Sequence, residues 1–585
     1  MRTIFRLGLV LALFLISIHA GLPKEKEIEM ILDQKIPMKD GIHLAAKIWK
    51  PAQMEATLPA VLVLTPYVSD EAQQRATFFA RNGYVFVSVD CRGRGNSEGE
   101  FYPFEQDGPD GAQIVEWIAK QHWCNGKVAM MGGSYRGMVQ WQTLRYLPPS
   151  LKTIVPTAAA HPGIDAPWPN NIPASYFTRW LGFVTGKTRN DDLFADEKYW
   201  SQKFYRMYRN HEPFARLAEI TGIASQIFLR WLEHPSYDDF WKKMSPADKD
   251  YRNFNIPILT ITGYFDGDQP GAMAYYLKHM RFGTEEGKAA HYLLIGPYDH
   301  GGTRHPRKKL GGLEFGDNCL LDMHRLHLEW LDWILKGKEK PELLKKRVCY
   351  YMMGDNEWKY ADRLEDISNK TLVWYLSSEE GRANDVFHSG SLQLEPPRVP
   401  QKPDSFVYDP LKIISEEEYF KKNPDYYLDP GPAFKEDILI YHSPPLEKPL
   451  EVGGYVRLRL YMELDVPDTD FQSLLCEIKP DGRCIFLAKD ILRARYRKSL
   501  ETPELVEPGQ IDLYEFRKFY FFARKIERKS RLRLVISCLN TPDFEKNYCS
   551  GQNVAYETAR NARKATIKLY HDRRYPSTLE IPIKE

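Results

Sequence analysis

The chain has no CxxC cysteine pair, no HExxH string and, beyond its first twenty residues, no apolar run long enough to cross a bilayer. The first two absences exclude the common zinc-site and zincin patterns. The third excludes a later spanning helix, which needs about 18 or more apolar residues in a row. Asp107-Gly108-Pro109-Asp110-Gly111 is acidic and glycine-rich but has the wrong spacing for a calcium loop. Neither a metal nor a cofactor is expected. An excess of one charge is missing too: 80 Lys and Arg face 78 Asp and Glu, a formal net charge of +2. That balance implies no polyanion-binding surface, so nucleic acid is not an expected partner. Internal repeats and low-complexity tracts are also absent. Cysteine is sparse, with eight scattered residues and none in the first 90. Cys476 and Cys484 straddle the turn Pro480-Asp481-Gly482, and Cys538 and Cys549 span a loop containing Pro and Asn. An exported chain permits disulfides at both places, with buried thiols as the equal alternative.

At 585 residues the chain is long enough for two or three domains. Arg2 and Arg6 precede an apolar stretch from Leu7 to Ile18, and Ser17, Ala20 and Gly21 supply small residues at a cleavage point. Residues 1–20 are therefore expected to be a signal peptide, and the protein to be exported to the periplasm or the extracellular space. No stable membrane insertion is expected after its removal; an uncleaved anchor is the other reading.

Six short apolar runs follow: Ala60–Leu64, Val85–Val89, Val128–Met131, Ile154–Ala158, Ile258–Ile261 and Leu293–Ile295. Runs of this kind suit parallel strands buried on both faces. Amphipathic segments such as Asp110–Lys120 lie between several of them, predicting a doubly wound α/β sheet with catalytic groups at the strand C-termini. From about 160 to 250 the rhythm breaks into Trp-, Tyr- and Pro-rich helix-like segments such as Ile220–Leu232, read as a helical cap inserted over the sheet edge. Met323–Leu335 predicts an amphipathic helix stopped at Gly337. The period then changes to alternation, as in Tyr455–Leu464, Leu532–Leu539 and Ala565–Tyr570. The expected organisation is an α/β catalytic domain over 21–345 and an antiparallel β-sandwich over 346–585.

Gly132-Gly133-Ser134-Tyr135-Arg136-Gly137 directly follows the run Val128–Met131. A strand, a small-residue corner and a helix start would expose the Ser134 hydroxyl at the top of the sheet beside free backbone N–H groups, which suits a nucleophile. A serine needs a positioned base, and the base needs a carboxylate to hold its tautomer. Downstream, Asp266 and Asp268 follow the run Ile258–Ile261, and Asp299 and His300 follow Leu293–Ile295. The order Ser, acid, His is that of α/β hydrolases. Asp266 is preferred as the acid, with Asp268 second, because Asp299 adjoins His300 too closely. The Tyr135 amide and the Tyr67 phenol are candidate oxyanion donors. Trp168, Tyr176, Phe177 and Trp180 are candidates for lining an acyl pocket, with packing in the cap as their alternative role.

Thr65-Pro66-Tyr67, Asp90–Gly99, Trp123–Val128, the Gly-x-Ser-Tyr-x-Gly corner, Gly263–Asp266 and Gly296–His300 together resemble the cocaine esterase-like hydrolases. That family includes α-amino-acid ester hydrolases, glutaryl-cephalosporin acylases and the catalytic part of X-prolyl dipeptidyl peptidases. Ser443–Leu446, Asp468–Phe471 and Leu492–Tyr496 resemble its β domain, so the likeness covers nearly the whole mature chain. The resemblance implies an α/β-hydrolase core, a helical cap and a jelly roll, with Ser134, Asp266 and His300 as triad and Tyr67 and Tyr135 at the oxyanion hole. It also implies acyl transfer from a small-molecule ester or amide through an acyl-enzyme. Alternatives are an X-Pro dipeptidyl peptidase or acylase of the same fold, or a non-catalytic binding protein that keeps the fold. The carboxylates that hold a substrate ammonium in the α-amino-acid ester hydrolases have no clear match; Asp70, Asp191, Asp192, Asp238 and Asp239 are the residues considered. Homo-oligomerisation is left open.

Overall fold

In a chain of mixed polarity, segments in which every side chain is apolar fold where both faces are covered. The computed structural model describes residues 27–585 except 224, 380, 422 and 429–436, so the expected signal peptide lies outside the described residues. Ten strands form the first sheet: β1 (Ile28–Pro37), β2 (His43–Pro51), β3 (Leu58–Thr65), β4 (Val85–Asp90), β5 (Cys124–Gly133), β6 (Leu151–Thr157), β7 (Ile258–Phe265), β8 (His291–Asp299), β9 (Val348–Met352) and β10 (Glu357–Ala361). Their spatial order is β1-β2-β4-β3-β5-β6-β7-β8-β9-β10. All neighbours from β4 to β9 pair in parallel, while β1, β2 and β10 add antiparallel edges. Val128–Gly133 of β5 is buried throughout. Each large side chain there stabilises the fold by about 1.5–3 kcal/mol.

The expected domain boundary at 346 falls short of the sheet's edge. Helix Met323–Lys336, ended by Gly337 in the left-handed conformation, carries the chain back across the sheet, and β9 then adds parallel to β8. An apolar strand has no period that tells which sheet it joins. Between β6 and β7 the cap is a cluster of short helices around Trp168, Trp200, Trp231 and Trp241, all almost wholly buried. The single helix expected over Ile220–Leu232 is two, Leu217–Thr221 and Ser225–Leu232, because Gly222 takes φ 66°.

Residues from Lys370 to Lys584 contribute thirteen strands to a second, largely antiparallel sheet among the described residues. Its core runs into the catalytic half, where the ring of Phe265 at the end of β7 lies 4.5 Å from that of Tyr427. Within it, Arg493 is held by Asp470 at 2.8 Å and Glu545 at 2.7 Å, and Arg495 by Asp468 at 2.8 Å. These paired charges fix the segment that docks on the cap. Ser175 N donates to Asp543 O and Glu545 N to Pro173 O, both at 2.8 Å. Cys538 and Cys549 are separate thiols on either side of the Thr469 hydroxyl, at 3.6 and 3.5 Å, in place of the disulfide considered for them. In the hairpin carrying Cys476 and Cys484, Cys476 faces Phe486 and Cys484 faces Ile478, so the two are not directly opposed.

Candidate active site

Ser134 sits at the corner between β5 and helix Tyr135–Leu144 with φ 64° and ψ −128°. A non-glycine residue there costs on the order of 1–3 kcal/mol, which its surroundings must offset. Two hydrogen bonds do so, from Ser134 N to Thr157 O at 2.9 Å and Ala158 O at 3.0 Å. The glycine spacing has a steric cause. A Cβ on Gly137 would stand 2.9 Å from Thr157 O and 3.0 Å from the Ala159 side chain, so the helix touches the end of β6 at position 137. Position 136 instead carries a partly buried arginine, paired with Glu71, whose guanidinium lies 5.3 Å from the Tyr67 ring centre.

The chain after β7 delivers Asp266, and the end of β8 delivers His300. His300 Nδ1–H donates to Asp266 Oδ1 at 2.8 Å, which leaves Nε2 as the basic nitrogen. Asp266 is fully buried. Asp268 Oδ2 lies 3.6 Å from the same Nδ1 and accepts a 3.5 Å hydrogen bond from Ser134 Oγ. Among the described residues no hydrogen bond joins Ser134 Oγ to His300 in this state. Burial works against a charged imidazole, but the Asp266 and Asp268 carboxylates outweigh it and hold the His300 pKa above its ordinary value. Asp268 is pushed up to about 6, by burial first and by repulsion from Asp266, against the pull of His300. Asp299 is turned away, accepting from Gly302 N at 2.7 Å and pairing with Arg307.

Facing the serine is Tyr67, just past β3. Its amide donates to Thr65 Oγ1 at 3.0 Å, and its hydroxyl accepts from Trp180 Nε1 at 3.2 Å. The Ser134 side chain is its other polar neighbour, so with that lone pair occupied the phenolic proton lies beside the serine. Burial raises the Tyr67 pKa, so the phenol stays protonated at neutral pH. Arg94, fully buried within the segment Asp90–Gly99, holds this loop against the cap: it donates to Pro66 O at 2.7 Å, to Thr188 O at 3.0 Å and to Gly186 O. The Tyr135 phenol donates to Asp107 at 2.5 Å. As the first helical residue, Tyr135 has no intrahelical acceptor for its amide, which lies next to the serine.

The aromatic candidates separate. Trp168 is buried in the cap core, ring to ring with Phe228, Trp231 and Trp241, because the cap has no other filling there; it is not brought to Ser134. Tyr176 keeps 44% of its surface open and lies close enough to Tyr67 and Asp268 for both, after the enclosing protein, to raise its pKa. Phe177 packs edge-on between Tyr176, Trp180 and Trp231. The acids considered in the cap are ordinary caps and surface groups. Asp191 pairs with Arg189, Asp238 caps the helix Asp239–Lys242, and Asp192 and Asp239 begin helices. The Asp70 side chain lies outside the described groups.

Trp180, a candidate for the acyl pocket, reaches the Tyr67 hydroxyl across 113 positions. Two further residues near the serine carried no sequence signal for that place. Asp165, buried behind Asp268, accepts from His161 N at 2.8 Å and Gly271 N at 2.5 Å; burial and then Asp268 push its pKa well up. Arg304 is half-buried without an ion pair among the described residues, and its Nη1 stands 2.8 Å from where a Cβ on Gly133 would be. Asp266, Asp268 and His300 also form the described group whose ligand atoms lie within 4.8 Å of one another. Since Nδ1 of His300 is engaged by Asp266, the set is organised to orient a base. An arrangement of hydroxyl, imidazole and carboxylate at one strand edge, with N–H and O–H donors opposite, can run nucleophilic acyl transfer.

Residues 40–302 match the family described as X-Pro dipeptidyl-peptidase (S15 family), and residues 344–580 its C-terminal non-catalytic domain. Cocaine esterase of Rhodococcus sp. (strain MB1 Bresler) is 27% identical over 575 residues, covering 94% of this chain and 97% of that protein. The fold is shared with a crystal structure of an aminopeptidase from a marine sediment archaeon, Thaumarchaeota archaeon, at a TM-score of 0.81 and 22% identity over 97% of this chain and 99% of that one. An α-amino acid ester hydrolase superposes at 0.80 with 21% identity over 96% and 98%. A CocE/NonD family hydrolase from Staphylococcus aureus does so at 0.67 with 18% identity over 95% and 94%. The chain thus belongs to the cocaine esterase-like hydrolases, which share the S15 catalytic and C-terminal domains, and is a serine hydrolase acting on esters or peptides.

Proposed function

We propose that the protein is an exported hydrolase that cleaves ester or amide bonds of small molecules through an acyl-enzyme on Ser134. The observation that carries this reading is the 2.8 Å bond from His300 to buried Asp266, beside a serine held in a strained corner. In the first half-reaction Ser134 Oγ turns from Asp268 to His300, which takes its proton through Nε2 as Oγ attacks the carbonyl. Hydrogen bonds of this kind are often formed only once substrate is bound. Negative charge develops on the carbonyl oxygen, where the Tyr67 hydroxyl and the Tyr135 amide donate to it. His300 then protonates the leaving group, and in the second half-reaction it activates water against the acyl-enzyme. Export rests on the composition of residues 1–20, and the β-rich half is read as a jelly roll that backs the loop carrying Asp266. Turnover of p-nitrophenyl esters, lost in Ser134→Ala, is the test; equal turnover by the variant overturns the assignment.

A second reading, in which the substrate carries an amino group beside the scissile bond, is favoured by Asp268. Its carboxylate is 3.5 Å from Ser134 Oγ, with Asp165 buried behind it. An ammonium there would be paired on entry, which resembles the carboxylate anchors of α-amino-acid ester hydrolases. Aminoacyl esters and X-Pro anilides, compared with plain acyl esters on wild type and Asp268→Asn, separate the two readings. A variant that loses only the amino substrates supports the second.

A further inference from the structure

Between the β-rich half and the loop after β7 lies a cavity of about 600 Å³ whose lining does not include Ser134. Its floor is the sheet face made by strands Asp470–Ile478, Cys484–Arg493 and Arg531–Cys538, and Ile164, Pro270 and Tyr520 close it toward the catalytic half. Much of the wall is apolar, with Ile413, Ile414, Leu474 and Phe486.

Besides Lys412, two lysines line it, Lys489 and Lys518, the latter donating its amide to Asp490. Neither makes an ion pair among the described residues. Lys518 Nζ is shielded from solvent and has no hydrogen-bond acceptor. The acids of the lining are bonded elsewhere, although Asp490 and Asp543 favour the charged forms of Lys518 and Lys489 without touching them. Asp437 pairs with Lys412 at 3.4 Å. Asp490 accepts from Asn170 Nδ2 at 2.9 Å and from the amides of Ile491 and Lys518, both at 2.8 Å. Asp543 accepts from the Tyr419 hydroxyl at 2.9 Å and the Thr541 hydroxyl at 3.1 Å, and Glu418 is exposed on a short helix. Of the remaining cations of the lining, Lys412 is paired with Asp437 and Arg533 donates to His442 at 2.8 Å. An ammonium enclosed by protein with no carboxylate in contact is costly and is stabilised by an anion that reaches it.

We propose that this cavity is a binding site for an amphipathic organic monocarboxylate, its carboxylate met by Lys489 and Lys518 and its apolar part laid over Ile414, Leu474 and Phe486. The pKa of Lys518, lowered to about 8 by burial, leaves it charged at neutral pH. The site adjoins the serine site without sharing it. Tyr520 donates its hydroxyl to Gly267 O at 3.3 Å, between Asp266 and Asp268, so an occupant rests against the segment that carries both acids.

Calorimetric titration of octanoate into the full chain tests the proposal, with Ser134→Ala run beside wild type so that the result does not depend on the serine being reactive. One molecule is expected to bind each protein with the same affinity. Lys489→Met and Lys518→Gln are each expected to weaken it about tenfold, the loss of roughly one charge-assisted bond. Lys489→Arg is expected to retain it, and 1-octanol to bind wild type and Lys489→Met alike. Thermal melts of the unliganded variants check that they are folded. Absence of saturable binding, unchanged affinity in both folded charge-removing variants, or competition by a covalent Ser134 adduct would overturn the proposal; the last would place the acid in the serine site.

Discussion

Trp180 of the cap donates its indole N–H to the hydroxyl of Tyr67 at 3.2 Å, so an inserted helix orients a phenol that belongs to the catalytic sheet. The bond fills a lone pair of the Tyr67 oxygen and leaves its proton for the oxygen that becomes charged during acyl transfer. Arg136 over the same ring and Arg94 under the Tyr67 loop complete the support.

Tyr67→Phe is expected to lower kcat by about 10²–10³-fold with little change in KM, since its hydrogen bond strengthens as charge develops. Trp180→Phe, which keeps the ring and removes the donor, is expected to lower kcat by a smaller factor, about three- to tenfold on the scale of one neutral hydrogen bond. Steady-state kinetics on a p-nitrophenyl ester measure both. A Trp180→Phe effect confined to KM would show that the indole only packs.

The acid limb of the pH profile follows from the carboxylates around His300. The imidazole must be neutral to accept the serine proton, and Asp266 and Asp268 favour its charged form. Activity in kcat/KM is therefore expected to fall as pH drops through a value above 6.5, the ordinary histidine pKa. Asp268→Asn removes one of the two charges, so its acid limb is expected to move to lower pH. A shift to higher pH, or none, would contradict the arrangement. Asp268 itself titrates near 6, so the limb reports the coupled group.

Stability should depend on the charges that brace the cap. Arg493 and its partners Asp470 and Glu545 are each no more than 3% exposed. Arg493→Met leaves two buried carboxylates without a cation, at a cost of about 3–5 kcal/mol. A lower urea midpoint for unfolding is expected, with loss of cap docking through Ser175 and Glu545. A midpoint equal to that of wild type would mean the network is dispensable.

What could be read from residue order was whatever depends on short-range pattern. Val128–Met131 reads as a buried strand because all four side chains are apolar, and Ser134, Asp266 and His300 were locatable because each follows such a run. Gly137 had a visible position but no visible cause, since the contact that requires it, with Thr157 O, is set by how helix and β6 pack. Asp165 and Arg304 were not legible as neighbours of the serine, and Trp180, placed among the acyl-pocket candidates, was not legible as the partner of Tyr67: these contacts come from how the cap and the loop after β8 lie over the sheet, which no period in the sequence encodes. Trp168 shows the converse. Its composition-based place in an acyl pocket gave way to the cap's need for a core. β9 was assigned to the sandwich because a strand's own residues do not say which of two sheets it will extend.

The most direct test of the account is the intact mass of the folded protein after treatment with a fluorophosphonate probe. A single adduct is expected on wild type, lost in Ser134→Ala and strongly slowed in His300→Ala, because only a serine whose proton is taken by that imidazole reacts at an appreciable rate. No adduct on folded wild type, or an equal adduct on Ser134→Ala, would contradict it.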